Sequence, residues 1–255
     1  FYCASDANGN AAGNTLEEAI LQGLMELVER DSVALWWYNR ARRPAVDLDT
    51  LNEPYIDLMR EHYVGLNRDF WVLDITSDLG IPAFAAVSHR LDRPTEDIIL
   101  GFGAHVDPRM GVLRALTEIN QFLPAVSDTH PDGTTNYWMD DVDAVEWWTT
   151  ATLENQPYVV GDGVRTEPFE QLATDDIAED VRRVVARLAE RGIETIVLDQ
   201  TRPEIELNVV KVMAPGLRHF WRRVGPGRLY DIPPQLGWLD RPLDEDELNP
   251  IGIFF

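Results

Sequence analysis

The stretch Gly13-Asn14-Thr15-Leu16-Glu17-Glu18-Ala19-Ile20-Leu21-Gln22-Gly23-Leu24-Met25-Glu26-Leu27-Val28-Glu29-Arg30-Asp31 constrains the fold more than any other. At about 100° per residue, Glu18, Gln22, Glu26 and Glu29 fall in one narrow arc, with Leu21, Leu24, Leu27 and Val28 opposite. One face must therefore enter a core while the other presents three carboxylates and an amide in a row. The pattern runs on into Trp36 and Trp37, which predicts one long helix from about Thr15. Two starts fit a capping box, Asn14 with Glu17 or Thr15 with Glu18. Asn14 is preferred, because it leaves Glu18 free. Like charges at i, i+4 repel, and a solvated helix usually mixes signs, yet no lysine interrupts this ridge. Magnesium takes oxygen ligands and bridges carboxylates to phosphates, so a metal site and a solvated acidic face stand level on spacing alone.

The segment Asp6 to Gly13 reads as a small, polar loop ahead of that helix. Free N–H groups and the dipole at a helix start attract anions, although a sharp turn would demand the same glycines. A second helix, predicted from about Gly111 to Phe122, sets Arg114, Glu118 and Gln121 on one face at i, i+4 and i+7. A guanidinium can clamp phosphate with two parallel hydrogen bonds, and the same spacing also describes an ordinary surface ion pair. The sequence carries no P-loop, no Cys/His cluster with zinc spacing and no nucleophile elbow. His105, beside Asp107, reads as a loop histidine. The pairs Trp36-Trp37 and Trp147-Trp148 read first as core, second as a groove for an extended peptide.

Elsewhere, Phe70 to Ile75, Ala83 to Ser88 and Ile98 to Val106 are short apolar runs bounded by Asp, Gly and Pro, and predict buried strands. Residues 175–190 form an amphipathic helix leading into a strand at 194–198, a helix-to-strand unit of the α/β type, and a further strand is expected at 207–212. The acidic, aromatic stretch 128–161 is expected to be an insertion or lid. The 255 residues carry a formal charge of -22, a field that repels nucleic-acid backbones. Lys211 is the one lysine, and an acidic, lysine-poor surface is what a salt-loving host favours. No apolar run approaches the roughly 18 residues of a membrane span, and Cys3 has no partner for a disulfide. The expected location is the cytoplasm, with neither nucleic acid nor membrane as partner.

The run Asn8-Gly9-x-Ala11-Ala12-Gly13-Asn14-Thr15-x-x-Glu18-Ala19-x-x-Gln22-Gly23-Leu24-x-Glu26-x-x-Glu29-Arg30 resembles the second nucleotide-binding motif of the YcaO family. Gly101-x-Gly103-x-His105-x-Asp107, followed by Arg114-Ala115-Leu116-Thr117-Glu118-x-x-Gln121, resembles that family's next block. The resemblance implies an α/β (α+β) fold, a single domain over residues 1–255 with β-sheets packed against long helices, and an ATP- and Mg2+-dependent enzyme. It assigns Glu18, Glu26 and Glu29 to magnesium, and Asn14, Gln22, Arg30, Arg114, Glu118 and Gln121 to the nucleotide. The stretch 31–40 is similar to the azoline-forming cyclodehydratases. In that branch a Cys, Ser or Thr of a precursor peptide attacks the preceding carbonyl, and ATP phosphorylates the resulting oxyanion. A precursor peptide, a leader-binding partner protein and a homodimer are the implied partners. The alternatives within and beyond that branch are thioamide or amidine formation, and a non-catalytic relative that binds peptide or partner. Two departures stand out. The family's first nucleotide motif has no counterpart here, so the domain is expected to lack its upstream part, and the proline-rich tail of azoline-forming members is reduced to Pro250 with Gly252 at the next expected proline.

Overall fold

The structure, a computed structural model, describes residues 6–138 and 141–254. Cys3, residues 139 and 140 of the acidic stretch and Phe255 lie outside the described residues. Helix α1 (Leu16–Asn39) is the axis of the fold. At 1.5 Å per residue it is about 36 Å long. Its first half is amphipathic, as the carboxylate spacing requires, whereas every residue from Asp31 to Asn39 is buried. The polar ends of that buried half are matched internally. Asp31 pairs with Arg228 at 2.6 Å, and Asn39 Nδ2 donates to Leu35 O and Leu229 O.

The helix cap differs from the expected one. Thr15, in extended backbone, is the N-cap, and its hydroxyl accepts from Glu18 N–H at 3.1 Å. Asn14 instead donates its backbone N–H and its side-chain amide to Glu18 Oε2, at 2.8 and 3.0 Å. The reason is that Asn14 O is held by Asn208 Nδ2 at 3.0 Å, which places Asn14 with the preceding strand. Replacing a Thr N-cap by Ala costs about 1 kcal/mol, so Thr15→Ala is expected to lower stability by about that amount in urea unfolding.

Two antiparallel sheets flank α1. One has strand order β2-β3-β4, from β2 (Arg68–Asp74), β3 (Ala83–Arg90) and β4 (Ile99–Ala104). The other has order β1-β6-β5, from β1 (Asn10–Gly13), β6 (Asn208–Met213) and β5 (Ile196–Asp199). The second half of the expected Asp6–Gly13 loop is thus a strand. Its small residues pass close beneath α1, where a Cβ on Gly13 would lie 2.6 Å from Ala19 N. Helix α5 (Ile177–Glu190) does lead into β5, but β5 runs antiparallel to β6, so the pair is no parallel crossover.

Helix α3 (Pro108–Phe122) lies on β4 and β3, and α2 (Pro54–Gly65) lies on β2. Helix α4 (Val142–Thr150) belongs to the stretch expected as an insertion or lid, and it buries Ala144, Trp147 and Trp148 on one face while Val142, Glu146 and Thr149 face outward. Trp147 and Trp148 are each 1% exposed. Trp147 packs on Trp37 with centroids 5.0 Å apart, and its Nε1 donates to Ile98 O at 2.9 Å. Both tryptophan pairs are core, the first of the two readings their sequence allowed. Helix α6 (Arg228–Gln235) follows against α1. The tail then returns to the same aromatic core, where Trp37 Nε1 donates to Ile251 O and Asn249 Nδ2 donates to Tyr158 Oη. The assembly is α+β, and among the described residues no helix is long and apolar enough to cross a membrane.

Candidate metal and phosphate site

Three pieces of backbone converge on the exposed arc of α1. The first is the turn before β1, where Gly9 N–H donates to Glu26 Oε2 at 2.9 Å. Gly9 has φ +75, and a Cβ there would stand 2.2 Å from Val212 O. Only glycine lets this turn approach the helix so closely. The second is α1 itself. Arg30 Nη2 donates to Glu26 Oε1 at 3.3 Å, its Nε lies 3.9 Å from Glu29 Oε1, and its guanidinium stacks on Phe220 at 3.9 Å. The third is α3, where Arg114 Nη2 donates to Gln22 Oε1 and Glu118 Oε2 accepts from Phe102 N–H.

The third contact depends on the β4 glycines. A Cβ on Gly101 would come within 2.5 Å of Ala115 O and Ile119 N, and one on Gly103 within 2.2 Å of Gly111 O. Bare backbone at those positions lets α3 settle directly on the strand. Phe102, between them, keeps an N–H that Glu118 satisfies at the edge of the sheet.

The structure therefore gathers Gln22, Glu26, Glu29 and Arg30 from α1 with Arg114 and Glu118 from α3. Asn14 and Glu18 lie one turn or more towards the start of α1, bonded to each other. Hydrogen bonds from Asn14 hold the Glu18 carboxyl below the usual range. Gln121 lies one turn beyond Glu118 and is exposed. His105 Nδ1 accepts from Asp107 N–H at 3.0 Å, which shapes the turn into α3, and burial together with the nearby Arg114 guanidinium holds it below the usual imidazole range. That is a loop histidine. Asn8, which opens the motif but has no role from it, is 8% exposed and keeps its amide nitrogen buried without an acceptor beside Gly9.

The electrostatics of the cluster are unbalanced. The Glu29 side chain is 12% exposed, and burial, with the neighbouring Glu118 carboxylate, pushes it up to about 8. Burial pushes Glu118 up as well. Arg30 Nε is buried with no hydrogen-bond partner. Carboxylates this close, beside an unsatisfied guanidinium donor, suit a ligand that brings both cations and anionic oxygens. Among the described residues no three His, Cys, Asp or Glu side chains cage a metal ion by themselves. The donor set instead fits magnesium, which shares its oxygen ligands between one or two carboxylates and a phosphate.

A family model described as YcaO cyclodehydratase, ATP- and Mg2+-binding, matches residues 1–218. The chain belongs to the YcaO family. A solved heterocyclase in complex with substrate and cofactor is 53% identical, with a TM-score of 0.89 over 100% of this chain and 34% of that one. The heterocyclase TruD is 52% identical, with a TM-score of 0.86 over 100% of this chain and 35% of its own. An uncharacterized protein in the tfuA 3' region of Rhizobium leguminosarum bv. trifolii is 35% identical over 227 residues, which are 83% of this chain and 52% of that protein. The chain spans about half the length of the curated YcaO relatives it matches and about a third of the two heterocyclase chains.

Proposed function

We propose that the chain carries the nucleotide and metal site of an ATP-dependent cyclodehydratase that converts Cys, Ser or Thr of a precursor peptide to azolines. The observation that carries this reading is the half-buried, under-neutralised group of Glu26, Glu29 and Glu118 set against Arg30 and Arg114. Glu26 and Glu29, with Glu118 opposite, would hold magnesium, and Glu18, whose Oε2 is held by Asn14, would offer an ion its other oxygen. Magnesium, when bound, neutralises phosphate charge and orients the γ-phosphoryl group.

The remaining work falls to the protein's own side chains. Arg30 and Arg114, cations already held in place by Glu26 and Gln22, are suited to clamp phosphate oxygens. The Gly9 N–H fixes one oxygen of Glu26 and leaves the other beside Arg30. Phosphoryl transfer needs positioning and charge neutralisation more than covalent help, and that is what this group offers. In the reaction, the peptide nucleophile gives up its proton and adds to the preceding carbonyl carbon, which closes the ring. The carbonyl oxygen takes the γ-phosphoryl group from ATP, leaving ADP, and departs as phosphate as the amide nitrogen loses its proton and forms the C=N bond. A leader-binding protein and a second copy of the chain are the partners this reading implies.

The test is a coupled ADP-release assay with magnesium, ATP and a Cys-containing peptide, read alongside mass spectrometry of the peptide. ADP release that requires peptide and matches the loss of one water per ring supports the reading. Hydrolysis of ATP at the same rate without peptide, or ADP release with the peptide mass unchanged, would sink it.

A further inference from the structure

Arg30 is joined through Phe220 to a second charged region. Phe220 belongs to the turn that follows β6, and residues of that turn line a cavity of about 560 Å³. Four of the lining residues are basic: Arg218, His219, Arg223 and Arg228. They differ in what they already hold. Arg228 is fully engaged, its guanidinium bridging Asp31 at 2.6 Å and Asp78 at 2.7 Å. Arg218 folds the turn by donating to the carbonyl oxygens of Arg223, at 3.1 Å, Gly225 and Pro226. Those acceptors are neutral, so among the described residues its charge meets no carboxylate at ion-pair distance. The Arg223 side chain makes no hydrogen bond or ion pair among the described residues, and the His219 ring lies against Trp221.

The backbone adds to the same field. Helix α6 is preceded by its N-cap Gly227, which lines the cavity with φ +112 and gives no side-chain cap. The first N–H groups of a helix have no partner within it, and the positive end of the helix dipole lies there. Mutual repulsion is already felt, since burial and the Arg223 charge hold both Arg218 and His219 below their usual ranges. In a chain of formal charge -22, two arginines beside a cavity, Arg218 and Arg223, with no carboxylate at ion-pair distance among the described residues mark a place for an anion from outside.

We propose that this cavity is an anion subsite that docks a carboxylate of the peptide whose backbone the neighbouring ridge activates. That the anion comes from the peptide rests on the function proposed above, while the subsite itself does not. Two features favour a carboxylate side chain over free phosphate. Leu217 and Pro226 line the cavity beside the cations and suit a methylene stem. Asp231 also lines it, and its charge opposes a dianion more strongly than a monoanion. Elsewhere the acidic surface repels such a peptide, so this cavity would set its register as well as its affinity.

The test uses the 255-residue chain and fluorescence anisotropy of a labelled hexapeptide of alternating Glu and Gly, with the Gln and Gly counterpart as control. The Glu peptide is expected to bind at least about tenfold more tightly, and Arg223→Gln to remove most of that difference. Because the Arg223 side chain holds nothing in the fold, the variant should melt as the parent does, and Arg223→Lys should recover part of the preference. Calorimetric binding of Mg2+ and ATP is measured in parallel and should be unchanged in both variants. Equal affinity for the two peptides, or a Glu preference untouched by Arg223→Gln, overturns the proposal. So does inorganic phosphate binding more tightly than the Glu peptide, or loss of ATP binding in Arg223→Gln, which would assign the cavity to the nucleotide. If no form binds ATP while the Arg223-dependent preference persists, the activation reading fails and the anion subsite stands.

Discussion

Glu29→Gln is expected to abolish magnesium-dependent ATP binding while making the free protein more stable. Both effects come from one arrangement. The Glu29 carboxyl is 12% exposed, accepts no hydrogen bond among the described residues, and faces Glu118 and Glu26 across a site whose nearest cation, Arg30, stands 3.9 Å away. Burial pushes this carboxyl up to about 8, so keeping it in place at neutral pH costs the uptake of a proton that the unfolded chain does not need, and in the free protein that cost is unrelieved. An amide of the same shape removes it, so thermal or urea unfolding should show a gain of about 1–2 kcal/mol. The amide also removes a charged ligand for magnesium, and affinity for Mg2+ with ATP should fall by about 100-fold or more. Calorimetry at fixed pH reads the loss directly. Glu26→Ala should weaken binding as well without the gain, because Glu26 already receives hydrogen bonds from Gly9 and Arg30. A Glu29→Gln protein that is less stable than its parent, or that binds ATP equally well, would show that the ridge is a structural feature and not a cation site.

The ridge was legible because helical periodicity is a property of the chain itself. Which of its members work together was not. Glu18 continues the spacing of Glu26 and Glu29, yet its hydrogen bonding turned on which of two adjacent residues caps α1, and Asn208, nearly two hundred residues away, holds Asn14 with the preceding strand. The strand Asn10–Gly13 was hidden for a similar reason: Asn, Ala and Gly carry no strand preference of their own, and β6 imposes the pairing. Pro54 is the first residue of α2, where a missing N–H costs nothing. The tryptophan pairs were legible as core from their size alone, and both lie in it.

The convergence of Arg114 and Glu118 on α1 rests on what β4 lacks, and this gives the second prediction. Gly103→Ala should empty the site while leaving every functional side chain in the sequence. Its new Cβ would stand 2.2 Å from Gly111 O and 2.6 Å from Ala115 N, both of them backbone, which cannot rotate away. Helix α3 must therefore lift from the sheet, taking Arg114 from Gln22 and Glu118 from Phe102 N–H. Overpacking of this kind costs about 1–3 kcal/mol, and the upper end applies where only backbone can yield. Gly65→Ala is the matched control. It sits at the end of α2 with nothing within 4 Å of its added methyl, and should raise stability by up to about 1 kcal/mol, since glycine is a poor helix former. Unfolding curves give the first comparison, and calorimetry with Mg2+ and ATP, run below both midpoints, gives the second. Binding lost in Gly103→Ala while the protein is still folded, and retained in Gly65→Ala, would show that glycine in β4 builds the phosphate side of the site by proximity. Normal binding in Gly103→Ala would mean that α3 is free to move without consequence, and would remove Arg114 and Glu118 from the reaction.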